Sequence, residues 1–202
     1  MVNMLTAKHV SDLALNGKLA DVCDFFDRFG SSDANIIENP VAENITHEGV
    51  HALWSMYQEA KAENERPLWG AFDILDFPKL AGNLHVLAFD EGQAMKFLIF
   101  GSSVADRYGT DKTGDYLPLE GENLVVVFHG LFLAAAESGK IYHTTHIPPE
   151  EGPIKDCQRL ILPFYDDRGK FSRLLVSHLP FSATIGSIAR PARRSTSRPR
   201  WR

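Results

Sequence analysis

The chain has 202 residues, 44% hydrophobic and 23% charged, with a formal net charge of −5, the proportions of a soluble globular protein with one domain of ordinary size plus extensions. No apolar run approaches the ~20 residues a membrane-crossing helix needs. The N-terminal MVNMLTAKHVSD lacks the basic start and apolar core of a signal peptide, so we expect a cytoplasmic protein without membrane insertion.

Residues 6–29 read as helix. Val10, Leu13, Ala14 and Gly17 lie on one stripe, and Leu15, Leu19, Val22, Phe26 and Phe29 on another. Gly17 weakens the middle, so one helix or two short ones fit equally. Residues 30–46, with Pro40 and many Asn, Ser and Asp, read as a linker. Thr46 is the expected N-cap of a helix to about Glu65, with Val50, Leu53, Trp54 and Tyr57 at helical spacing and Pro67 as its stop. An irregular stretch with a turn at Ile74–Leu80 follows. His85–Asp90 and Ala94–Gly101 then read as a hairpin about a Glu91-Gly92 turn.

The block FLIFGSSVADRYGTDKTGDYL, Phe97–Leu117, reads as a strand feeding a short helix and a loop that wraps a cavity, with turns at Gly101, Gly109 and Gly114. Pro118–Asn123 is loop, and Asn123 can cap a helix from Leu124 to about Ser138. That helix is apolar almost all round, so it should be deeply buried, and Gly139 stops it. Strands are expected at Lys140–Ile147, at Ile154–Tyr165 after a Pro148–Pro153 turn, and at Phe171–Leu179 after the Asp166–Gly169 turn. Leu160-Ile161-Leu162 and Leu174-Leu175-Val176 are continuous apolar runs, so both sheet faces should be covered there, with the N-terminal helices as the expected cover of the second face.

Past Pro180 the periodicity fades, and 186–202 are expected to be disordered. Residues 190–202 carry six arginines and no acid. The other 15 basic residues stand against all 26 acidic ones, so the body is near −11. An acidic body argues against nucleic-acid binding except through the basic tail, which could also touch anionic lipid or the body itself. Cys23 and Cys157 form no motif and read as a reduced, buried pair.

LWSMYQEAK, AFDILDFPKL, the Phe97–Leu117 block and RLILPFYDDRGKFSRLLV, in this order and spacing, resemble the PAS family of sensory domains, in particular a bacterial group of stand-alone PAS proteins. The likeness spans about Leu53–Phe181. Its most specific piece is Gly109-Thr110-Asp111-Lys112-Thr113-Gly114, which looks like that family's G-x-D-x-T-G wrap after a short helix. Together the element order and the resemblance imply an α+β fold: a PAS-like five-stranded antiparallel sheet with helices on one face, preceded by N-terminal helices. The expected division is a helical extension and linker over 1–45, a PAS-like domain over 46–181 and a basic tail over 182–202. The resemblance implies a non-enzymatic sensory or regulatory module, a homodimer through the N-terminal helices and a signalling partner protein. It assigns no ligand, since such domains use haem, flavin, small acids or nothing. A side-chain-filled module that only dimerises or docks is the alternative.

The candidate cavity lining is Phe100, Val104, Arg107, Tyr108, Tyr116, Phe128, His129, Phe132, Arg159 and His178. Arg107 could hold an acidic ligand or pair with Asp106, Asp111 or Asp115. His129 lies on the apolar helix, where the resemblance would put a haem-ligating histidine; a hydrogen-bonded core histidine is the other reading. The parity of Arg159 and His178 is open, because both sheet faces look buried. No cysteine stands in the short helix to support flavin photochemistry. His47-Glu48-Gly49-Val50-His51 matches H-E-x-x-H, the spacing of two zinc ligands and a glutamate base. Here it falls on a first helical turn loosened by Gly49, and a third ligand would have to come from Glu63 or Glu65, so a zinc hydrolase is the weakest of the three readings. His143 and His146 should point to opposite faces of their strand, as polar sheet surface.

Overall fold

The computed structural model describes residues 2–91, 94–117, 123–149 and 155–180. The expected 182–202 tail, the second half of the Glu91-Gly92 turn and most of the Pro118–Asn123 and Pro148–Pro153 loops lie outside the described residues.

The chain opens with two helices, α1 (Val2–Leu15) and α2 (Leu19–Arg28), separated at Gly17, whose φ of +71° no β-carbon-bearing residue adopts readily. Next come β1 (Ser32–Glu38), α3 (Glu48–Glu63) and a series of 3-10 turns leading to the hairpin β2 (Leu84–Phe89) and β3 (Met95–Ile99). The short α4 (Ser102–Tyr108) precedes the long α5 (Leu124–Ser138), and β4 (Tyr142–Ile147), β5 (Cys157–Tyr165) and β6 (Phe171–Ser177) complete the fold.

The sheet has six strands, not five, all antiparallel, in the order β1-β4-β5-β6-β2-β3. The added strand falls in the expected linker. SDANIIE offers only two adjacent β-branched residues, and its pairing with β4 begins irregularly, with Asp33 at φ +51° inside a bulge between Ser32 and Asn35. What holds it is tertiary. Ile36 is buried in the core under α2, Lys140 pairs with Glu38 at 3.0 Å, and the Asn39 side chain accepts the Ile141 N–H at 3.1 Å.

Helices cover both faces, as the apolar runs require. The two apolar runs divide by strand parity, which explains their continuity. Ile161, Leu174 and Val176 face the core under α5, together with Leu87, Met95 and Phe97. Leu160, Leu162, Phe164 and Leu175 face a second core under α3, where Val50, Leu53 and Tyr57 pack. The Tyr57 hydroxyl donates to the Pro163 carbonyl at 2.7 Å, which fastens α3 to β5. The cover of the second face is therefore α3. Of the N-terminal helices, α1 lies behind α5 instead, with Ala7, Val10 and Ala14 fully buried, and α2 packs on β1. Both thiols are free, Cys23 half-buried and Cys157 buried.

Candidate functional site

The site is assembled around the chain that leaves β3. Gly101 sits so close to the preceding loop that a β-carbon there would stand 2.5 Å from the Gly82 carbonyl oxygen and 2.8 Å from that of Leu84. Its N–H donates to His85 Nδ1 at 3.3 Å. After α4 and Gly109 the chain doubles back: Phe97 N–H donates to the Asp115 carbonyl, and Gly114 and Leu117 donate to the Phe97 and Met95 carbonyls, at 2.8–3.0 Å. The Thr113 hydroxyl accepts the Phe100 N–H at 3.1 Å. The wrap is thus tied along β3 by main-chain bonds, and α5 starts opposite it, capped by Asn123, whose side chain accepts the Val125 N–H at 2.9 Å.

Between the wrap, α5 and the sheet lies a cavity of about 930 Å³. That is the upper part of the range for small-molecule sites. Eight of the ten sequence candidates line it: Phe100, Val104, Tyr108, Tyr116, Phe128, Phe132, Arg159 and His178. Two do not. Arg107 turns away; its Nη2 donates to Asn83 Oδ1 at 2.8 Å and to the His178 carbonyl at 3.2 Å, so it fastens α4 to the sheet. The ion pair with Asp106, Asp111 or Asp115 is absent among the described residues; Asp115 pairs with Lys112 instead, at 3.3 Å. His129 is 1% exposed but is not a lining residue, because the stripe Leu124, Phe128 and Phe132 faces the cavity and His129 lies one position off it. Burial alone holds its imidazole down to about 4. The haem ligation that the resemblance allows for His129 has no support in this geometry.

Sequence reasoning missed two histidines on the cavity wall. His85 on β2 and His146 on β4 are both buried and both line the cavity, so His146 is not polar sheet surface. His146 packs between Phe26 and Phe128, with ring centroids 5.1 and 5.7 Å away. His143 does point to the opposite face; it too is buried, 3.5 Å from Gln158 Oε1. His85 stacks on Phe100 at 4.3 Å.

The parity question resolves cleanly. Arg159, His178, His85 and His146 all project from the sheet toward α5. Arg159 Nη2 lies 3.1 Å from His178 Nε2, and its guanidinium carbon sits 3.7 Å from the centroid of the Phe128 ring. Arg159 is 9% exposed and its Nη1 has no partner among the described residues. Burial, then the positive charge of Arg159, pushes His85 and His146 down to about 3. The same two causes, in the same order, hold His178 well below its ordinary value. All three imidazoles are therefore neutral at pH 7, and among the described residues Arg159 is the one full charge on this wall.

The H-E-x-x-H segment forms no second centre. His47, not Thr46, is the N-cap of α3, and its Nδ1 accepts the Gly49 and Val50 N–H groups at 3.1 and 3.4 Å. His51 Nδ1 lies 3.3 Å from the Ser55 hydroxyl. Among the described residues no three His, Cys, Asp or Glu side chains are grouped to hold a metal ion. No described helix is long and apolar enough to cross a membrane.

Comparison of the chain with protein-family models, with curated proteins and with solved structures returns no match.

Proposed function

We propose that this chain is a PAS-type sensory or regulatory module of the cytoplasm that encloses a small ligand and passes the occupancy of its cavity to a partner protein or a second copy of itself, without catalysing a reaction. The observation that carries this reading is the cavity of about 930 Å³ between α5 and the sheet, roofed by a wrap that is hydrogen-bonded along β3. Two further features support it. From β2 onward the elements follow the order hairpin, short helix, buried helix and three strands, and those five strands lie side by side as β3-β2-β6-β5-β4. The lining joins aromatic side chains to a cluster of convergent polar groups on the sheet, the makeup of a small-molecule site.

A ligand that packs against Phe128 and Phe132 contacts α5 directly, and α1 rests on the back of that helix. Occupancy would thus bias the seating of the N-terminal helices, where a partner could read it.

Native mass spectrometry of freshly purified protein, with a visible absorption spectrum for haem and flavin and a thermal-shift screen of metabolites, tests the reading. A retained or stabilising small molecule, lost on Val104→Trp, is the expected result. A chain with no retained species and no stabilising compound would instead be the ligand-free interaction module.

A further inference from the structure

We propose that the cavity takes an organic acid with one carboxylate and an apolar body, the carboxylate seated on Arg159. This inference rests on the reading of the cavity as a ligand site and names the chemistry of what fills it.

Arg159 carries the argument. A guanidinium that is nine-tenths buried ordinarily has a carboxylate beside it, because removing its charge from water is costly without one. Among the described residues none is in ion-pair reach: the two ion pairs are Lys112 with Asp115 and Lys140 with Glu38. The neighbours of Arg159 are a neutral imidazole, that of His178, and the face of Phe128. Nη1 has no partner among the described residues. The side chain is thus oriented by two neighbours and lacks the anion a guanidinium fork is shaped for.

The same wall supplies a second donor. His85 accepts the Gly101 N–H at Nδ1, so the proton of its neutral ring is on Nε2. The charge count sets the headgroup. With one full cation and three neutral imidazoles, the wall balances one negative charge. A phosphate dianion would find no second cation here, since Arg107 does not line the cavity and Lys112 is paired at its rim. Phe97, Phe100, Val104, Phe128 and Phe132 supply an apolar part of the lining that matches a hydrocarbon or aryl body.

Isothermal titration with octanoate, octan-1-ol and octyl phosphate, on wild type and Arg159→Met, tests this. Octanoate should bind wild type more tightly than either of the others, and Arg159→Met should weaken octanoate roughly 10- to 100-fold while leaving octan-1-ol unchanged. The ligand-free Arg159→Met chain should unfold no lower than wild type, because it loses an unpaired buried charge. Octan-1-ol binding as tightly as octanoate, or octanoate binding unchanged in the variant, overturns the carboxylate and leaves the ligand site standing. Octyl phosphate binding best also overturns it. A ligand-free variant that unfolds more than about 6 °C below wild type overturns it as well, since an acid of this same chain then pairs with Arg159. If none of the three compounds binds and the metabolite screen finds nothing, the proposal and the ligand site fall together.

Discussion

Gly130 on α5 is the place where the seating of the N-terminal helices can be tested with one methyl group. A β-carbon built there stands 2.5 Å from both Cβ and Cγ1 of Val10 and 2.6 Å from the Ala7 carbonyl oxygen. Ordinary carbon contacts are about 3.5–4.0 Å, so α1 would have to withdraw by roughly 1 Å. Rotation of Val10 relieves only the Cγ1 contact; the Cβ and the carbonyl move only with the helix. Overpacking of this kind costs about 1–3 kcal/mol. Against it stands the helix propensity of alanine over glycine, worth about 1 kcal/mol in the opposite direction. We expect the clash to win, with Gly130→Ala losing about 1–2 kcal/mol and its melting temperature falling by about 2–8 °C. Urea unfolding measures the loss, and Val10→Ala in the same background should recover part of it, as a coupling of about 0.5 kcal/mol or more. Gly130→Ala unfolding above wild type would mean that propensity alone decides, and that α1 does not rest on α5 in solution.

Three further outcomes follow from the site. Burial pushes His85 and His146 down to about 3, below the ordinary value of 6.5, so the fold favours the neutral ring. The stability this gives is complete above about pH 6.5 and is lost as pH falls toward 3, at about 1.4 kcal/mol per pH unit for each ring. His146→Phe should flatten the acid side of a stability profile measured by urea unfolding between pH 7 and 4; an unaltered slope would show that His146 is not held neutral. Gly101→Ala places its methyl against two main-chain carbonyls that cannot rotate aside, so it should cost more than about 2 kcal/mol and loosen the wrap, seen as faster amide exchange at Phe97 and Leu117. His47→Ala should cost about 1 kcal/mol of thermal stability through loss of the α3 cap, with His47→Asn recovering most of it, whereas a zinc-ligating role would show as metal content that falls in both variants.

The helices and the hairpin were legible because their periodicity is strong and their stops are local. Asn123 and Gly139 bracket α5, and Gly17 splits the N-terminal segment. β1 was not legible, because its strand character comes from β4 and α2 and not from its own seven residues. The same limit governed the assignment of helices to faces. The stripes of α1 and α3 both announce a buried side, but amphipathicity does not name the surface a helix is buried against. Small residues carried the missing signal. Gly130 on α5 and Ala7 on α1 permit two backbones to come close, which marks helix-on-helix packing, whereas Tyr57 on α3 reaches a sheet carbonyl with its hydroxyl.

The site shows where reading by residue type stops. The apolar lining was found because aromatic residues at helical spacing on α5 and in the wrap point one way. The polar wall is drawn from separate strands: His85 from β2, His146 from β4, Arg159 from β5 and His178 just beyond β6. In YHTTHI the histidines read as polar sheet surface, and in CQRLILPFY the parity of Arg159 stays open because both faces look buried. Only once the register is known do the four fall on one face, and only then do their charges bear on one another. That juxtaposition changes what Arg159 means. From the sequence, Arg159 is a cavity candidate whose face is open. Facing α5, over an aromatic ring and among imidazoles kept neutral by burial and by its own charge, it is a buried cation with no counterion among the described residues, the place the proposed carboxylate would fill.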